Sequence, residues 1–198
     1  MTAAGSRTPV RRMRPEERRE QILTESLGLM ATSGFNAVSL SDVARACGIQ
    51  KSSVLHHFPS MNELLLAVLT MREQQDLLFY AALDIESPAH ARSTSPAASR
   101  QLFTRLFHHN LERPDFIRLY VILSAEALAP EHPAHAFYAE NTARARAEIT
   151  AALAWKPEPA LAAVEMLSFW QGLEAAGCHD PSLDIRAVWE TFCDRFFA

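Results

Sequence analysis

The sequence predicts an all-α protein, on three observations. Apolar residues recur at helical spacing in most of the chain, the runs are punctuated by proline and glycine, and no run shows strand-like alternation. Glycine is scarce, at 6 of 198 residues, while alanine and leucine are abundant, which favours helix further. Nearly half the residues (48%) are apolar and 21% charged, as in an ordinary globular chain, so a disordered or collagen-like protein is excluded.

Residues 1–14 carry Gly5, Ser6, Pro9 and four arginines without periodicity, and are expected to form a mobile basic tail. Pro15 with Glu16 and Glu17 opens the first helix, whose stripe of Ile22, Leu23, Leu27 and Met30 ends at Gly34. Ser39 or Ser41 caps a second helix carrying Leu40, Val43 and Ala44, which Gly48 breaks. A third short helix follows over about 50–58, stopped by Pro59. Two short helices across a glycine turn make a helix-turn-helix. Ser60 and Glu63 then form the capping box of a long helix over about 61–83. After a Pro/Ser/Ala loop, helices are expected at about 97–112, 114–128, 133–155, 158–176 and 183–197, bounded by Pro114, Pro130, Pro133, Pro157, Pro159, Gly177 and Pro181.

The charge is uneven. Through residue 60 there are 8 Lys and Arg against 5 Asp and Glu, leaving 11 against 18, so a basic front precedes an acidic back. A polyanion-binding front end fits that split, and so does solvated surface charge. Apolar runs such as "LLLAVL" are far shorter than a bilayer span, and no apolar stretch follows the N-terminal arginines, so no membrane helix or secretory signal is expected. Cys47, Cys178 and Cys193 lack C-x-x-C spacing and fit reduced thiols in the cytoplasm.

On the third helix, Val54 and Phe58 fall on one side and can close a small core with Ile49, Val43 and Leu40. Ser52 and His56 point the other way, with Ser53 and Leu55 on the flanks and Gln50 and Lys51 in the first turn. That exposed face is polar, small and free of acid, and can enter a major groove. The stretch "FNAVSLSDVARACGIQKSSVLHHFPSMNELL" resembles the DNA-binding signature of the TetR family of bacterial transcriptional regulators. Ser39 stands at the family's capping Ser/Thr, Val43-Ala44 at its Ile-Ala, Gly48 at its turn glycine, Val54 at its core leucine and His57-Phe58 at its His-Phe. There are two departures: Leu55 occupies the place of a DNA-contacting tyrosine, and Met61 that of a phosphate-contacting lysine.

The resemblance implies a helix-turn-helix DNA-binding domain over 15–60 and a helical ligand-binding and dimerisation domain over 61–198. The expected DNA contacts are Ser39, Gln50, Lys51, Ser52, Ser53, Leu55, His56 and His57, with Lys51 as the leading phosphate contact. His57 could instead be a partly packed histidine. Arg7, Arg11, Arg12, Arg14, Arg18 and Arg19 could track phosphates or simply be solvated. His56 and His57 lie about 100° apart around a helix and cannot easily share a metal ion. His132 and His135 near Glu131 read more simply as a loop-to-helix junction than as a metal site.

No nucleophile elbow, phosphate loop or H-E-x-x-H motif is present, so no catalytic residue, cofactor or resident metal is expected. The last helices are apolar over more than one face, and Leu161, Val164, Val188, Trp189, Phe192 and Phe196 are expected in a four-helix homodimer seam. The pocket for an unidentified small-molecule effector is expected among Phe79, Phe103, Phe107, Tyr120, Glu126, Met166 and Trp170, with Phe116, Phe137, Tyr138 and His109 as further candidates. Core packing is the competing role for each. The reading is thus a ligand-released repressor on a pseudo-palindromic operator of double-stranded DNA. The competing readings are a helical ligand- or partner-binding protein with weak or lost DNA affinity, and a metal-dependent enzyme built on His132, His135 and Glu131.

Overall fold

The computed structural model describes residues 13–82 and 95–198; residues 1–12 of the expected tail, with Arg7, Arg11 and Arg12, lie outside them, while Arg14 stands at the N-cap of the first helix. Among the described residues the structure is helical throughout: α1 (Pro15–Ser33), α2 (Leu40–Ala46), α3 (Lys51–His57), α4 (Met61–Ala82), α5 (Pro96–Leu111), α6 (Pro114–Glu126), α7 (His135–Ala152), α8 (Pro159–His179) and α9 (Ile185–Phe196). None of these helices is long and apolar enough to cross a membrane.

The ends form where side chains satisfy free backbone groups. Proline stands in the first turn of α1, α5, α6 and α8, where its missing N–H costs nothing. Ser39 Oγ accepts from the Asp42 N–H at 3.3 Å, and Asp42 Oδ2 accepts from the Ser39 N–H at 3.0 Å. This reciprocal cap holds a helix of only 7 residues that propensity alone would not. Gly34 (φ 81°) and Gly48 (φ 65°) supply the two left-handed positions that end α1 and turn α2 into α3. Gly177 does not end α8, as the sequence suggested. The helix runs on to His179, and Ile185 at the start of α9 packs so close that a Cβ at Gly177 would lie 3.1 Å from it.

Two apolar cores organise the packing. The first joins Ile22, Met30, Val43, Val54, Phe58, Leu64, Leu65 and Val68 to Phe116, Leu119 and Leu123 of α6. The second joins Phe103, Phe107, Leu153, Met166, Trp189, Phe192 and Phe196. Each such large side chain, fully buried, stabilises the fold by about 1.5–3 kcal/mol relative to exposure. Helices α4 and α6 each carry residues of the first core together with further residues that face the body of the protein, so they tie the three-helix head to the rest.

Candidate functional site

Two regions bear on function, and the first is the outward face of α3. Val54 is fully buried and Phe58 nearly so, which fixes the rotation of this short helix. Gln50, Lys51, Ser52, Ser53 and His56 are consequently exposed, as is Leu55 at 40%. His57 is half-buried beside Phe58. Burial, then the neighbouring His56, Arg19 and Arg18, hold its pKa below the usual histidine value, so it is neutral at pH 7. The Arg19 guanidinium lies 4.9 Å from the Phe58 ring centroid, which brings a cation of α1 to the end of α3.

Ser39 is exposed, but its hydroxyl is engaged with Asp42 in the cap, donating to Oδ2 at 2.5 Å. At the departure Met61, the side chain packs against the first core instead of reaching outward. The rings of His56 and His57 meet edge-on, with centroids 5.5 Å apart. His132 and His135 each turn to the backbone: His132 Nδ1 accepts from the Ala134 N–H at 3.2 Å, and His135 Nδ1 lies 2.8 Å from the Ala127 carbonyl. No group of three metal-ligating side chains is assembled among the described residues.

The second region is a cavity of about 670 Å³ walled by α4, α5, α6, α7 and α8. That volume is in the range of small-molecule sites. Of the candidates, Phe103, Tyr120 and Trp170 line it, together with His109 and Tyr138. Phe79 stands behind His109, its ring stacked at 3.7 Å. Phe107 and Met166 do not line it; they pack within the second core, where the Phe107 ring stacks on that of Trp189 at 4.3 Å. Phe116 belongs to the first core and Phe137 packs against it. Glu126 is also elsewhere: it accepts from the Phe35 N–H at 3.3 Å, at the seam between α1 and α6.

The sequence reading missed the polar floor of this cavity. Asp76 Oδ1 takes Arg113 Nη2 at 2.7 Å, and Asp76 Oδ2 lies 3.5 Å from Arg72 Nε. Arg72 also lies 4.1 Å from the Tyr120 ring centroid and donates to Asn110 Oδ1 at 3.3 Å. Asn110 in turn donates from Nδ2 to Glu174 Oε1 at 2.9 Å, and Trp170 Nε1 donates to the same oxygen at 2.7 Å. Burial pushes the Glu174 carboxyl above the usual carboxylate range against the pull of these donors. Burial likewise pushes the Tyr120 hydroxyl up to about 12. The one signal in the sequence was the i, i+4 pair Arg72 and Asp76, a spacing equally common on solvated helices.

On the dimer candidates, Leu161 is 62% exposed, Val164 43% and Val188 36%. Trp189, Phe192 and Phe196 are covered by their own chain, in the second core, and have little surface left for a partner.

An acid-free helix standing on a glycine turn, followed by a helical body with a small-molecule-sized cavity, is the layout of a helix-turn-helix head joined to a larger helical domain. Residues 22–68 match the model for bacterial regulatory proteins of the tetR family. The chain is 32% identical over 104 residues to the uncharacterized HTH-type transcriptional regulator YuxN of Bacillus subtilis, a match covering 52% of this chain and 34% of that protein. The chain therefore spans about a third of the length of that relative. A putative TetR-family regulator from Rhodococcus sp. superposes with a TM-score of 0.66 at 23% identity, over 92% of this chain and 100% of that one. The regulator FadR of Bacillus subtilis, in complex with stearoyl-CoA, gives 0.72 at 11% identity, over 90% and 97%. At those identities the two structures speak for the fold.

Proposed function

We propose that this protein is a ligand-released repressor that binds a pseudo-palindromic operator as a homodimer. The observation that carries the reading is the α3 face: Lys51, Ser52, Ser53 and His56 all stand exposed on a helix locked by buried Val54. One such helix reads only a few base pairs, so two related by a two-fold axis would read half-sites about 34 Å apart. Exposed Leu161, Val164 and Val188 on the packed helices α8 and α9 support a seam between two copies there.

Release follows from α4 and α6. Leu64, Leu65 and Val68 of α4 lie in the head's core, while Arg72, Asp76 and Tyr80 of the same helix line the cavity. On α6, Leu119 and Leu123 face the head and Tyr120 and Ser124 the cavity. An effector that prefers a different packing of these helices would shift the reading heads, and DNA and effector would compete through one equilibrium. Moving it from 1:99 to 99:1 takes a preference of about 5.5 kcal/mol.

Gel retardation of the DNA flanking the protein's own gene, at stated salt, tests the reading. Lys51→Ala should weaken binding across sequences and lower the salt slope by about 1, whereas His56→Ala should relax sequence preference. No specific retardation at low salt would sink it in favour of a second reading, a helical ligand- or partner-binding protein. That alternative draws on Leu55 and Met61, which put aliphatic groups where the family resemblance leads one to expect a hydroxyl and a cation.

A further inference from the structure

The charged groups of the cavity are already met by the protein. Arg144 pairs with Glu73, and Asp76 is shared by Arg72 and Arg113. Asn110 joins those two arginines to Glu174: its Oδ1 accepts from Arg72 Nη2 at 3.3 Å and from Arg113 Nη2 at 3.2 Å, while its Nδ2 donates to Glu174 Oε1 at 2.9 Å. Trp170 Nε1 donates to the same oxygen at 2.7 Å. Glu148 is engaged as well. On the floor, two guanidiniums thus stand with two carboxyl groups in one connected network that requires no counter-ion of either sign. Two nitrogens there, His109 Nε2 and Arg113 Nη1, lack hydrogen-bond partners, but both are buried out of an occupant's reach. An ion entering the cavity would exchange its water for groups already committed elsewhere, and burying a charge without a partner is costly whichever its sign.

What the wall leaves uncommitted is neutral. Tyr80 of α4 and Tyr120 of α6 both line the cavity, and among the described residues neither hydroxyl has a hydrogen-bond partner. Neither is sealed in the way the two nitrogens are, so both are open to an occupant. The Tyr120 ring packs against the first core and lies 4.1 Å from the Arg72 guanidinium, which leaves its hydroxyl as the free end of a held side chain. Tyr138 differs, because Ser124 stands beside its hydroxyl. Burial raises the pKa of both free phenols, that of Tyr120 to about 12, so each is an O–H donor at neutral pH. A buried hydroxyl without a partner is costly, and an acceptor oxygen on an occupant removes that cost. Phe103, Leu106, Ile149 and Leu167 add apolar wall.

We propose that the cavity takes an uncharged, lipophilic molecule bearing a carbonyl or hydroxyl oxygen, to which the Tyr80 and Tyr120 hydroxyls donate hydrogen bonds. The inference rests on the reading of this cavity as the effector site. Tyr80 and Tyr120 stand on the two helices that also enter the core of the head, so an oxygen held by them bears directly on the elements that position α3.

Four para-substituted biphenyls of similar shape test the proposal by equilibrium dialysis against the full chain at neutral pH: acetylbiphenyl, biphenylcarboxylate, biphenylmethylammonium and ethylbiphenyl. The acetyl compound should bind at least about tenfold more tightly than either ion, and about threefold to tenfold more tightly than ethylbiphenyl, which has no oxygen. In the double variant Tyr80→Phe, Tyr120→Phe the advantage over ethylbiphenyl should vanish while ethylbiphenyl itself binds as before, an outcome that damage to the cavity would not give. Thermal melts establish that the variant folds. An ion bound as tightly as the acetyl compound, an acetyl compound no better than ethylbiphenyl, or an advantage that survives the double variant overturns the inference while leaving an effector cavity in place. Binding of none of the four overturns it too. The effector reading fails by a separate signal, operator DNA that no small molecule releases.

Discussion

Gly34→Ala should destabilise the protein by about 3 kcal/mol, for two separable reasons. The first is backbone. Gly34 sits at φ 81°, ψ 160°, a conformation essentially reserved for glycine, and a side chain there costs about 1–3 kcal/mol. The second is contact: an added Cβ would lie 2.8 Å from Glu126 Oε1, too close to be tolerated without movement. A carboxylate at the end of a flexible side chain could ordinarily swing away. Here its other oxygen accepts from the Phe35 N–H at 3.3 Å and lies 3.6 Å from His132 Nε2, so swinging breaks the tie between α1 and α6. A hydrogen bond to a charged group contributes about 1.5–3 kcal/mol at good geometry, and at this length and partial exposure about 1 is appropriate. For a chain of this size the sum corresponds to a Tm lower by about 6–12 °C. Thermal and urea unfolding of Gly34→Ala, Glu126→Ala and the double variant form the assay. With Glu126 truncated, the cost of Gly34→Ala should fall back by about 1 kcal/mol to the backbone part alone. A cost below about 1 kcal/mol, or one identical in both backgrounds, refutes the reasoning.

Two further outcomes follow from the cavity floor. Asp76→Asn keeps the shape but leaves the Arg72 and Arg113 guanidiniums, each 14% exposed, with one anion fewer, and should cost about 2–4 kcal/mol in urea unfolding; a variant within about 1 kcal/mol of the parent would show that the network contributes little. Because burial raises the Glu174 pKa above its unfolded value of 4.5, the folded state holds its proton more tightly, and the residue's contribution to stability declines as pH rises from 4.5 through the folded pKa. Glu174→Gln should therefore match the parent near pH 4 and exceed it in Tm above the folded pKa, and a gap that is constant with pH would contradict this.

How much was legible in the sequence differs between the two regions. The third helix could be rotated correctly from Val54 and Phe58 alone, because on a helix this short two core residues fix which side chains face out. Gly34, Gly48, Ser39 and the helix-opening prolines marked ends for the same local reason: each acts on backbone within a turn of itself. The aromatic candidates of the body fared unevenly. Phe103, Tyr120 and Trp170 reach the cavity while Phe107 and Met166, which share the second core with Phe103, do not, although helical spacing offered all five alike. Spacing assigns a residue to a helix face, and which neighbour covers that face depends on the crossing of other helices.

The sequence by itself determined an all-helical chain, the position of its helix-turn-helix and the exposed residues of α3, since those follow from periodicity, capping and local backbone geometry. Only the tertiary structure decided that Arg72, Asp76, Asn110, Arg113 and Glu174, spread over more than a hundred positions on α4, α5, α8 and the α5–α6 turn, meet as one polar floor. It also decided that Trp189, Phe192 and Phe196 are covered by their own chain, whereas Leu161 and Val164 are not. Both outcomes depend on long-range packing of whole helices, where burial and pairing are properties of the assembled faces and not of any one segment.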